Sequence, residues 1–106
     1  MTATTRKMLL LAARDLIAQE GRWTKKLLAC TETRRPVMWH DEEACRWCAV
    51  GAVRRAALDL VGEETRAQLL ADEVLNACLP RNLSAINDQE GHAAVLAVFD
   101  WALATA

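Results

Sequence analysis

The chain has 106 residues, 53% hydrophobic and 25% charged, which is one domain's worth of sequence with enough apolar surface to offset chain entropy. That balance excludes a wholly disordered chain, and with only 4 Gly and 2 Pro collagen-like and linker-like sequence is excluded too. A net charge of −1 creates no overall field toward nucleic acid or an anionic membrane.

The N-terminal residues read without a secretory signal, because Arg14 and Asp15 interrupt the apolar run at 8–13. No run reaches the roughly 18 apolar residues that spanning a bilayer needs. The four cysteines, Cys30, Cys45, Cys48 and Cys78, allow two disulfides. The apolar fraction is too high for a scaffold that needs such staples. Reduced thiols and a cytoplasmic location are expected, with no membrane partner.

Residues 4–20 place Leu9, Leu10, Ala13, Leu16 and Ile17 on one arc at helical spacing, with Lys7, Arg14 and Asp15 opposite. Thr4 or Thr5 is the expected cap and Gly21 the expected stop. Residues 22–40 lack helical periodicity, and Pro36 makes Arg35 extended. An irregular hairpin is expected there, pairing 27–30 with 37–39 around a turn at 31–35. Residues 42–61 read as a second helix with Asp41 as N-cap, apolar on most sides and therefore central. Gly62 precedes a third helix at 63–79, which Pro80 ends. Residues 81–91 read as a polar connection, with Ile86 inward. The last helix spans 92–104, with Val95, Phe99 and Ala102 on its main face and Trp101 widening it. The fold class is all-α: a single domain over 1–106, with about four helices around a buried central helix and an irregular excursion at 22–40.

Charge is uneven along this plan. Residues 1–53 hold nine Lys or Arg and six Asp or Glu, whereas residues 54–106 hold four and eight. The basic excess lies on the excursion, in Arg22, Lys25, Lys26, Arg34 and Arg35.

Each candidate site competes with a plainer reading. Cys45 and Cys48 form a CxxC, but a lone CxxC without a second ligand pair is weak evidence for zinc, so no metal or other cofactor is expected. Thioredoxin-like chemistry is disfavoured by Asp41, Glu42 and Glu43, whose charges oppose a thiolate. A cysteine nucleophile would use Cys48, with His40 or His92 as base and Asn87 or Asp88 as orienting group. The plainer alternative makes Cys48 a core residue and Asn87–Asp88 a turn and capping pair. Arg22, Trp23, Lys25, Lys26, Arg34, Arg35 and Trp39 form a candidate binding surface for a protein partner. Nucleic acid is the alternative occupant, through phosphate contacts and indole stacking. Arg55 and Asp59, four apart, read as a surface ion pair or, in a groove, an anion site.

Glu20-Gly21-Arg22-Trp23, then Arg46-Trp47-Cys48-Ala49-Val50-Gly51-Ala52, then Ile86-Asn87-Asp88 before a closing apolar helix resemble a family of small uncharacterised bacterial and phage-associated proteins. Its members carry a Gly-Trp, a Trp-Cys-Ala-x-Gly-Ala motif and an Asn-Asp pair. This chain departs by inserting Arg22 between Gly21 and Trp23, and by having Ile86 where an aromatic residue is expected. The resemblance implies an all-helical domain with no established activity. It also groups Trp23, Cys48, Gly51, Asn87 and Asp88 as one signature cluster. The resulting expectation is a small non-catalytic interaction or regulatory module. A Cys48-dependent hydrolase or transferase and a nucleic-acid binder through 22–35 are the alternatives.

Overall fold

The computed structural model describes residues 2–106. Among these residues five α-helices run in the order α1 (Ala3–Leu16), α2 (Ala49–Val61), α3 (Glu64–Cys78), α4 (Leu83–Gln89) and α5 (His92–Thr105). Between α1 and α2 lie a 3₁₀ turn (Glu20–Arg22) and two short strands, β1 (Ala29–Cys30) and β2 (Arg46–Trp47). The all-α expectation holds, with a fifth helix, a 3₁₀ turn and a two-stranded sheet added to it.

Helix α1 starts at Ala3, one residue earlier than expected, because the Thr2 hydroxyl, not Thr4 or Thr5, accepts from the Thr5 amide at 3.1 Å. Its apolar arc buries Leu9, Leu10 and Ala13, and Ile17 follows into the core. The helix stops at Leu16, before Gly21, which belongs to the 3₁₀ turn instead.

Helix α2 is the centre of the molecule and packs against α1, α3 and α4. Ala49, Gly51, Ala52, Val53, Ala56 and Ala57 are all buried, since small side chains let three neighbours approach one helix. It ends at Gly62, which adopts φ 77° and donates to the Leu58 carbonyl at 2.7 Å; the left-handed conformation there suits glycine.

The start of α2 corrects the sequence reading. Asp41 is not its cap. Its carboxylate closes a local turn by accepting from the Glu43 amide at 2.8 Å. The chain then extends, and the helix begins only after Cys48. Arg46 and Trp47 pair antiparallel with Cys30 and Ala29. The expected hairpin is therefore only partly present: 31–35 does turn, with the Thr31 amide bonded to Arg35 O at 2.9 Å, and Pro36 bridges Cys30. The strand partner of β1 is 46–47, and 37–39 does not form a strand.

Glu63 caps α3, its carboxylate accepting from the Thr65 and Arg66 amides at 2.9 and 2.8 Å. Those bonds hold its pKa below the usual carboxylate range. The expected polar connection at 81–91 contains α4. There Leu83 and Asn87 are buried, while Ile86 is half-buried. Helix α5 buries Val95, Phe99 and Ala102 as expected, but Trp101 faces outward at 58% exposure. Arg14 ties α1 to α5 through Asp100, Nε to Oδ1 at 2.6 Å.

Candidate interaction groove and its Asn87 clamp

Residues 24–28 form a strap that crosses the start of α2. Several bonds hold it. The Thr24 amide donates to Trp47 O at 3.1 Å, and the Cys48 amide donates to Leu28 O at 3.2 Å. Gly51 lies directly beneath, where a Cβ would overlap the Leu28 carbonyl oxygen. Glycine is thus required at this position by close approach, although its backbone is ordinary helix.

Asn87 is the hub of the region and is 1% exposed. Its Oδ1 accepts from the Trp23 indole Nε1 at 2.8 Å and from the Ala49 amide at 2.9 Å. Its Nδ2 donates to Thr24 O and to Asp88 Oδ1, both at 3.1 Å. Two acceptor sites and two donor hydrogens are the full capacity of a carboxamide, and all are used. Asp88 extends the clamp, as its Oδ1 also accepts from the Lys26 amide at 2.8 Å. The pair lies on α4 and bonds to segments remote in sequence, which corrects the local turn-and-cap reading. Trp23, Cys48, Gly51, Asn87 and Asp88 all fall in this one region.

Cys48 is the N-cap of α2, with Sγ accepting from the Gly51 amide at 3.3 Å. Burial nevertheless pushes its thiol pKa up, and this outweighs the lowering effect of the Gly51 and Val50 amides. A cavity of about 180 Å³ beside it is lined by Lys26, Ser84 and Asp88, among others. The two histidines lie elsewhere. The His92 ring nitrogen Nε2 is 2.5 Å from Ile17 O, and the ring packs against Trp23 with centroids 5.4 Å apart. His40 meets Trp39 edge-on at 4.8 Å and Glu64 at 3.4 Å. Among the described residues neither histidine bonds to a cysteine, and all four thiols are free. Cys45, expected inside the second helix, lies before it in the non-helical chain. No group of three or more His, Cys, Asp or Glu gathers as a metal site among the described residues.

The basic segment divides. Lys25, Lys26 and Arg34 line one groove of about 510 Å³, with Trp23 in its wall. Arg35 instead pairs with Glu43 at 2.5 Å, and Arg22 lies over the Trp47 ring at 5.8 Å. Trp39 is a core residue at 3% exposure, and its carbonyl receives the Trp47 indole and Arg55. Arg55 also covers Trp47 at 5.4 Å and pairs loosely with Asp59 at 3.6 Å. It thereby braces the 39–41 turn.

Arg46 is the one cation of the groove lining that the basic excess on the excursion does not include. The sequence pattern puts it inside the second helix, whereas it lies on β2, before that helix begins.

Among the described residues no helix is long and apolar enough to cross a membrane. Neither the curated proteins nor the solved structures contain a significant match to the chain. The model of a family of unknown function, DUF6197, matches residues 1–105, and the chain belongs to that family.

Proposed function

We propose that the protein is a small non-catalytic interaction or regulatory module of the cytoplasm that binds a protein partner across its strap and groove. The observation that carries this reading is the saturated Asn87 clamp, which fixes Trp23, Thr24 and, through Asp88, Lys26 in one geometry. A surface ordered in advance loses little freedom on binding, so more of the contact energy becomes affinity. Beside the clamp the chain presents Lys25, Lys26 and Arg34, with Met38 exposed at 57% further along the excursion.

A Cys48 nucleophile draws less support from the same geometry. Its thiol is shifted toward the protonated form, and the amide of Asn87 has no capacity left to orient a base.

Site-specific photo-crosslinking tests the binding reading. A photoreactive residue replacing Glu20, which lines the groove without supplying a cation, should capture one partner in cells, and the same residue replacing Leu69, exposed on α3, should not. The purified partner should then bind the unmodified chain. Equal capture from both positions, or capture from neither, would count against it.

A further inference from the structure

Building on the binding-module reading, we propose that the groove beside Trp23 is a site for a compact anionic group, a side-chain carboxylate or a phosphate monoester, on an acidic segment of the protein partner. Lys25, Lys26, Arg34 and Arg46 line the groove, against Glu20 as the one acidic residue in its lining. At about 510 Å³ it has room for an acidic side chain and the backbone that carries it. Among the described residues none of these four cations makes an ion pair, whereas neighbouring Arg35 does.

Arg46 shows what the groove lacks. Its Nη1 donates to Gly21 O at 2.6 Å, and Nη2 lies 3.5 Å from Glu32 O. Its Nε is buried with no acceptor. Among the described residues this half-buried guanidinium is therefore held by neutral carbonyls, without a countercharge. Charges withdrawn from water interact more strongly, so an anion entering here supplies what the fold leaves out.

The backbone gives a second, independent observation. Lys26 and Arg34 both adopt φ 67°, the left-handed region that side chains of their kind rarely occupy. Asp88 holds the first through the Lys26 amide, and the 31–35 turn holds the second through the Arg34 amide bonded to Thr31 O at 2.9 Å. Strain of this sort persists where surrounding bonds over-determine it, and it collects at ligand clamps. Here it brings both residues to one groove.

Charge distribution favours an acidic protein segment over nucleic acid. Taking these four positive charges from the net −1 leaves −5 on the rest of the chain. A long polyanion running past the groove meets that field, while a short acidic segment does not.

Amide and indole NMR spectra of the full chain test the site at fixed ionic strength, with four probes: a phosphoserine peptide, a glutamate-rich peptide, inorganic phosphate and a single-stranded oligonucleotide. Saturable shifts of the Trp23 indole and of the Lys25, Lys26 and Arg34 amides are expected with a peptide. They should weaken at least tenfold in a Lys25→Ala/Arg34→Ala variant and persist in Lys7→Ala, which lies on the exposed side of α1. A preference for the phosphoserine peptide identifies a phosphate group, and equal binding identifies a shared anion site. Shifts no different from those caused by sodium chloride would overturn the proposal, as would tighter binding of the oligonucleotide than of either peptide. A partner captured at position 20 that binds the double variant undiminished would overturn the anion site alone. Saturable peptide binding without any captured partner would instead count against the module reading.

Discussion

Asn87 and Trp23, 64 residues apart, are joined by a 2.8 Å hydrogen bond from the indole to the side-chain carbonyl. The same oxygen accepts from the first amide of α2. One side chain therefore satisfies a buried helix end and an aromatic donor together.

Replacing Asn87 should be costly. Asn87→Ala leaves the Trp23 indole, the Ala49 amide and the Thr24 carbonyl without their partner, and each buried orphan costs about 1–3 kcal/mol. A loss of at least about 3 kcal/mol is expected in urea unfolding. Asn87→Asp should also destabilise. It keeps the acceptors but loses both donors, and it places a second carboxyl beside Asp88. Its deficit should shrink at low pH, where the new carboxyl is neutral.

Gly51→Ala distinguishes helix propensity from close approach. In an exposed helix interior the change adds roughly 1 kcal/mol of stability. Here the new methyl overlaps the Leu28 carbonyl, so the sign should reverse. Thermal unfolding should show a lower midpoint for the variant, and a raised midpoint would mean that the strap yields freely.

Cys48 makes a pH prediction. Burial raises its pKa in the folded state above the unfolded value. Its contribution is fully present below the unfolded pKa and is lost as pH rises through the folded one. Stability should therefore fall as pH rises from about 8.5, and the fall should be smaller in Cys48→Ser. The serine hydroxyl is also a good N-cap, so that variant should stay within about 1 kcal/mol of the parent at pH 7. Iodoacetamide should label Cys48 in the folded chain far more slowly at neutral pH than in the unfolded chain.

Glu63 makes the opposite prediction. Its pKa is lowered by the two amides it caps. Its contribution is present above the unfolded pKa and is lost as pH falls through the folded value. The stability difference between the parent and Glu63→Ala should therefore narrow as pH drops from about 4.3, as checked by urea unfolding at several pH values.

Helices α1, α3 and α5 were legible because Leu9, Ala71 and Phe99 recur with their neighbours at helical spacing. The start of α2 was not. Ala44, Cys45, Trp47 and Ala49 continue the apolar content of the helix, and a two-residue strand has no period to reveal. Its cap is a thiol, a residue type with weak acceptor character. The Asn-Asp pair stood out in sequence, but its bonds to other segments reach 38 to 64 residues back, and spacing carries no trace of them. The left-handed turns at Lys26 and Arg34 were hidden for a different reason, since neither is the glycine or asparagine that normally marks one.

The full occupancy of the Asn87 carboxamide has a dynamic consequence. The strap, the first turn of α2 and the short α4 share one set of bonds, so none can open alone without breaking contacts of the others. They form a single cooperative unfolding unit. Hydrogen exchange at the Lys26 and Ala49 amides should then follow one common opening free energy, and the groove walls should loosen together, not residue by residue.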